Sequence, residues 1–257
     1  MRAAKMLISF MVSVCAVSGA GAAETVRIGT VLDQAPFEYR DSNGQVAGLE
    51  VTLGNKMCEV MHVKCQWVTM DFDALIPALK AKKVDAVYAQ MSITKEREKS
   101  VDFTNPITSA QVQYVAKVGS GITDDPATLK GKTVGVQSGS IQEDYMHKRL
   151  PDVSVKVYQT VNEAYLDLLA NRIDAVFDDK SAEYDWITKE GKRAGFDYAG
   201  KPVVDNEILG PGTGIAVRKG DEHLLASFNS AIRQMVSDGT FSRESAKYFP
   251  FSIAPTK

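Results

Sequence analysis

Histidine and cysteine are both scarce, with three of each among 257 residues. His62, His147 and His223 are scattered, so no metal site can be read from them. Cys58 and Cys65 stand at neither a redox nor a zinc spacing. Basic residues do not exceed acidic ones (30 against 32, formal net charge −2). That argues against a nucleic-acid binder working through a basic face. Long apolar runs are also lacking. The one candidate, residues 6–17, is interrupted by Ser9 and Ser13 and is too short to span a bilayer. No phosphate-binding loop occurs, and GVQSG at 135–139 is not the G-x-S-x-G of a nucleophile elbow. GPGTG at 210–214 leads into an expected strand rather than a helix, so it is no dinucleotide fingerprint and fits a crossing between lobes better. A carboxylate-pair hydrolase has only weak support, since any two of 32 acids can meet in space.

What remains is an ordinary composition, 44% hydrophobic and 24% charged, enough for one large or two modest domains. Residues 1–23 read as a cleaved leader. Arg2 and Lys5 precede the short apolar run, and SGAGAAET supplies small residues for cleavage after Ala22 or Ala23. Its loss takes the net charge from −2 to −4 by removing Arg2 and Lys5, and it takes Cys15 as well. The remaining even pair, Cys58 and Cys65, reads as a disulfide in an exported chain, the alternative being two free thiols. A loop this short contributes only about 2.5 kcal/mol on the chain-entropy account.

One phrase occurs twice: VDAVYAQMS at 84–92 and IDAVFDDKS at 173–181. Each follows an amphipathic helix. Phe72, Leu75, Ile76 and Leu79 share one face before the first copy, with Asp71 as N-cap and Pro77 bending the helix. Val161, Ala164, Tyr165, Leu168 and Leu169 share one before the second, opened by a Thr160/Glu163 capping box. The spacing predicts buried strands over 84–88 and 173–177. Further strands are expected at 26–30, 133–136 and 214–217, and further helices from about Glu50 to Met61, from Ser140, over 222–237, and in a last short turn. Alternating strands and helices in both halves imply two α/β units with mostly parallel sheets.

Ligands of open α/β sheets bind beyond the carboxyl ends of the strands. The copies diverge at that point. Ser92 and Arg97, the latter near a helix start at Thr94, follow the first copy, and Asp178 with Asp179 ends the second. A guanidinium fork suits a carboxylate and a carboxylate suits an ammonium, so Arg97 and Asp179 can hold the two ends of a zwitterion. Ser140 with the N–H groups of Ile141 and Gln142 opens a helix that can accept an anion.

These residues resemble the periplasmic amino-acid-binding proteins of ABC importers, most closely the lysine/arginine/ornithine- and histidine-binding group. The likeness runs from Val26 to Phe249 through VRIGT, APF, GNKMC, VKC, DFDALIPALKAKKVDA, SIT-x-x-R, LKGKTVGV and the closing DGT and KYF. It implies a type II two-lobed α/β fold: residues 24–111 and 206–257 in one lobe, 112–205 in the other, joined by two crossover strands. It implies a non-catalytic monomer in the periplasm, without cofactor. The protein would capture a free amino acid by lobe closure and deliver it to an inner-membrane permease with a cytoplasmic ATPase. Arg97, with N–H groups at Ser92 and Ile141, would hold the ligand carboxylate. Asp179 would hold the amino group with Ser92 and the Gln90 backbone, and Phe72 would pack on the side chain. Cys58 and Cys65 match that group's disulfide.

The departures concern the side-chain end. Val31 replaces an Asp, Gln34 a stacking Tyr, and Ala89-Gln90 a Ser-Ser, while Glu50 replaces an Asp. Losing a buried counter-charge costs a cationic ligand several kcal/mol. The expected ligand is therefore a polar amino acid of the lysine, arginine, ornithine or histidine class, glutamine, citrulline or an opine-type conjugate. Two rivals stand beside this reading. One is an exported prephenate/arogenate-type dehydratase with Glu50 or Asp178 as general acid. The other is a sensory module reporting to a separate membrane partner.

Overall fold

The computed structural model describes residues 24–109 and 111–254; the expected leader lies outside them. β1 (Thr25–Thr30) buries Val26 and Ile28, as strand alternation requires. A small antiparallel sheet follows, made of β2 (Asp33–Gln34), β3 (Glu38–Arg40) and β4 (Val46–Ala47). It ends at Gly48, φ 128°, where an added Cβ would sit 2.1 Å from the Phe37 carbonyl oxygen, so glycine is required. α1 (Leu49–Val60) turns Leu49, Leu53 and Met57 into the core, and its Cys58 is bonded to Cys65 of β5 (Lys64–Thr69). The single helix bent at Pro77 that the sequence predicts is instead divided ahead of the proline. A 3₁₀ turn (Phe72–Ala74) runs into α2 (Leu75–Lys80), leaving Pro77 in the first turn of α2, where a missing N–H is harmless. Asp71 stands at the head of that turn but makes no side-chain cap bond. β6 (Ala86–Val87), α3 (Lys95–Glu98) and β7 (Val101–Phe103) complete this stretch.

The chain then crosses to a second lobe. It contains β8 (Val112–Lys117), β9 (Thr133–Gln137), α4 (Ile141–Arg149), β10 (Ser154–Tyr158) and α5 (Val161–Leu169). β11 (Ala175–Asp179), α6 (Lys180–Trp186), α7 (Lys192–Ala194) and β12 (Phe196–Val203) follow. The Thr160/Glu163 capping box is present, and Ser140 caps α4. The chain returns to the first lobe as β13 (Ala216–Arg218), α8 (Glu222–Ser237) and α9 (Thr240–Ser245).

The two sheets have the orders β5-β1-β6-β13-β7 and β10-β9-β11-β8-β12. In each, four strands run one way and one runs against them. The odd strand, β13 or β8, is the one just arrived from the other lobe. Apolar clusters cover both faces of each sheet.

The doubled phrase is built less symmetrically than expected. Both strands begin one residue after the repeated aspartate, at Ala86 and Ala175, rather than at 84 and 173. The aspartates themselves explain the late start. Asp85 Oδ2 accepts from the Arg27 backbone N–H at 3.1 Å, and Asp174 Oδ2 accepts from that of Thr133 at 2.9 Å. A side chain thus takes the N–H that a ladder would otherwise use. The far ends differ. β6 stops at Val87, ahead of Gln90 in the left-handed region at φ 46°. β11 continues through Asp178 and Asp179, paired with Gln113 and Val112 of β8. The strand expected at 214–217 starts only at Ala216, because the Gly214 N–H is donated to the Met91 carbonyl and that of Ile215 to Thr104 Oγ1.

Candidate functional site

A narrow cavity, with only about 10 Å³ open to a water-sized sphere, lies between the lobes at the carboxyl ends of the strands. Gln34, Phe72, Ala89, Gln90, Ser92, Arg97, Ile141 and Asp179 all line it. So do Ser140, Gln142 and Asp178, from the same strand exits. Gln137, at the end of β9, also lines it and was missed by sequence reasoning, although the strand-exit rule covers it.

Arg97 is brought in by α3, where Thr94 Oγ1 accepts from its backbone N–H at 3.2 Å. Its Nη1 donates to the Ser92 carbonyl at 2.9 Å and its Nη2 to the Gly139 carbonyl of the other lobe at 3.1 Å. The guanidinium lies 5.4 Å from the centre of the Phe72 ring. Among the described residues it forms no ion pair. Burial draws its pKa down to about 10, against the pull of Asp144 and Asp179. Ser92 bridges Thr213 through the neighbouring bonds, Ile93 N–H to the Gly212 carbonyl and Gly214 N–H to the Met91 carbonyl, so its own N–H is not consumed.

Asp179 closes β11 and stands at the head of α6 without capping it. Its Oδ1 accepts from Gln142 Nε2 at 3.3 Å. Burial pushes its pKa up to about 7, opposed by the charge of Arg97. Asp178 is also buried, and its carboxyl is raised by burial and by repulsion from Asp179.

Glu50 is not a wall of the cavity. Its two oxygens accept from the Gln90 backbone N–H at 3.0 Å and from the Gln90 side-chain amide at 2.8 Å. It lies beside Glu38, and burial raises both carboxyls, that of Glu50 to about 7.

The lobes are clasped around the cavity. Gln34 Nε2 donates to Gln137 Oε1 at 3.2 Å, and Gln137 Nε2 donates to Asp33 Oδ2 at 3.1 Å. Asp33 Oδ2 also accepts from the Val161 N–H at the head of α5, at 3.3 Å. Ser138 Oγ donates to Asp73 Oδ2 at 3.0 Å. Gly139 lies so close to Asp73 that an added Cβ would meet its Cβ at 2.9 Å. At the rear, where the crossing segments run side by side, the Thr108 and Thr213 hydroxyls are 2.5 Å apart. The two lobes are thus in direct contact around the cavity.

Known proteins share this architecture. The lysine/arginine/ornithine-binding periplasmic protein of Escherichia coli K12 is 42% identical over 243 residues, 94% of each chain. The L-arginine-binding protein of Pseudomonas aeruginosa is 39% identical over 255 residues, 98% of each. The structure of an ancestral arginine-binding protein bound to arginine superposes with a TM-score of 0.81 at 37% identity, covering 89% of this chain and 99% of that one. Residues 26–251 match the bacterial extracellular solute-binding proteins, family 3, and the chain belongs to that family.

Proposed function

We propose that the protein captures a free polar or basic amino acid in the periplasm by closing its two lobes on it, then presents the closed form to a membrane permease driven by a cytoplasmic ATPase. The lobes divide at 111/112 and 205/206, on either side of the crossing segments. Arg97, with the N–H groups of Ser92 and Ile141, holds the ligand carboxylate. Asp179 holds the ammonium, helped by Ser92 and the Gln90 backbone, while Phe72, Gln34 and Ala89 bound the side chain. One observation supports this reading above the others: a single cavity is lined by a guanidinium from one lobe and a carboxylate from the other. Such a guest bridges the lobes and so favours the closed state over the open one. The relatives named above carry names for lysine, arginine and ornithine binding, in keeping with this ligand class.

A thermal-shift screen of free amino acids against the mature chain tests the reading. A ligand at a hundred times its Kd adds about 2.7 kcal/mol of stability. A shift with at least one polar or basic amino acid is expected. No shift with any of them overturns the assignment. Turnover of prephenate to phenylpyruvate would support the dehydratase instead.

A further inference from the structure

Two acids of the lobe that carries Arg97 are buried almost completely, Glu38 at 0% and Glu50 at 1% exposure. The turn at Gly48 brings them together. The Leu49 N–H donates to the Pro36 carbonyl at 3.0 Å and that of Glu50 to the Phe37 carbonyl at 3.1 Å, which seats the first turn of α1 against the start of β3. The two carboxyls meet there in a hydrogen bond of their own.

Donors are too few for two carboxylates. Glu50 has the two bonds from Gln90. Glu38 has neither an N–H nor a hydroxyl on either oxygen among the described residues. The charges that act on it, from Glu50 and from Asp33 on β2, are both negative. Glu50 also feels Asp179 of the other lobe, and the Tyr88 hydroxyl beside the pair is buried and unpartnered among the described residues. Two adjacent ionised carboxylates with no cation and no water are prohibitively unfavourable, so such a pair keeps a proton between them. The fold decides which member holds it. Glu50 stands in the first turn of α1, where the helix dipole favours a negative charge, whereas Glu38 lies on a strand without that aid. Burial, then the charge of Glu50, holds the Glu38 carboxyl well above the usual carboxylate range, while the bond between them lowers that of Glu50.

We propose that Glu38 is a positioning residue: it stays protonated at neutral pH and donates to Glu50, leaving Glu50 a single negative charge with which to hold Gln90 and the turn that leads to Ser92. Its effect on the ligand rests on the amino-acid reading given above, but its protonation does not. Loss of the proton sets two charges side by side and loosens the turn, so binding weakens in alkali.

Carbon-13 NMR of the wild-type protein tests the protonation. The assigned Glu38 carboxyl should keep its protonated shift at about pH 7. A Glu38 carboxyl ionised at that pH overturns the proposal, whatever the protein binds. Calorimetry with L-arginine tests the positioning. At about pH 7, Glu38→Leu, which cannot donate, should bind about tenfold more weakly, and Glu38→Gln, which can, should return to within about threefold of wild type. Between about pH 7 and about pH 9 the wild type should lose affinity relative to Glu38→Gln, since Asp179 and the amino acid titrate alike in both. Wild-type affinity in Glu38→Leu overturns the positioning role, and so does a constant ratio of wild type to Glu38→Gln across that range. Either result leaves the amino-acid reading standing. A wild-type protein that binds no free amino acid overturns that reading, and the NMR result then decides the proposal alone, as it does if the variants do not fold.

Discussion

Glu50 grips Gln90 twice, through the backbone N–H at 3.0 Å and the side-chain amide at 2.8 Å. The grip holds Gln90 at φ 46°, a conformation uncommon for a residue with a side chain, and sets the turn from which Ser92 enters the cavity. Glu50→Ala is expected to lower the unfolding free energy by about 2–3 kcal/mol through lost charge-assisted bonds. Ligand affinity should fall about tenfold as the turn relaxes, a loss of about 1.4 kcal/mol. Urea denaturation and calorimetry measure the two effects. Unchanged affinity would detach Glu50 from the cleft.

Arg97→Ala should remove detectable amino-acid binding, and Asp179→Ala should weaken it by more than about 100-fold. Each leaves a ligand charge unpaired in a closed cleft, at a cost of about 3–5 kcal/mol. Titration calorimetry with whichever amino acid the screen identifies checks this. Wild-type affinity in either variant removes that residue from the grip.

The pH dependence of stability follows from the buried acids. Burial raises Asp33 to about 6, and Glu50 and Asp179 to about 7. The unfolded carboxyls titrate near about 4. Between those values the folded chain binds more protons than the unfolded one, so this stabilisation is lost as pH rises through the folded pKa values. Asp102 and Asp205 act in the opposite sense. Lys219 and Arg149 hold their carboxyls below the usual range, so their contribution is present above about pH 4 and lost below it. Ligand-free protein should therefore be most stable near about pH 4–5, and Asp33→Asn should flatten the decline towards neutrality. Urea midpoints between about pH 3 and about pH 8 measure it; a steady rise through neutrality contradicts the assignment.

The paired aspartates should not be equally costly to remove. Asp85 serves the Arg27 N–H, the Arg27 guanidinium and Arg218, with a side chain 18% exposed. Asp174 serves the Thr133 N–H and Lys132, with a side chain 38% exposed. Asp85→Ala is expected to cost about 2–3 kcal/mol and Asp174→Ala about 1 kcal/mol. Equilibrium unfolding of the two variants ranks them, and the reverse order would refute the account.

Local signals were the readable part. α8 could be read at both ends because Asp221 caps it and Phe228, Ala231, Ile232 and Met235 repeat at helical spacing. The capping box at Thr160 was readable for the same reason. Strand edges were not. Asp85 acts on a residue 58 positions away, and Asp174 on one 41 away, so neither bond leaves a mark in its own neighbourhood. The site divides in the same way. Asp179 ends a strand, and Ser92 and Arg97 follow the other copy of the doubled phrase, so all three can be found from the repeat and the strand-exit rule. The bond from Glu50 to Gln90 spans 40 positions, and without it Glu50 reads as a counter-charge for the ligand.

The interleaved strands also differ in when their partners become available along the chain. Residues 112–203 supply all five strands of one sheet without interruption, whereas the other sheet keeps a gap between β6 and β7 until β13 arrives. A chain emerging amino end first can finish its later-encoded half before its earlier one. The half that carries Arg97 has its sheet completed by a three-residue strand encoded after the whole of the other sheet.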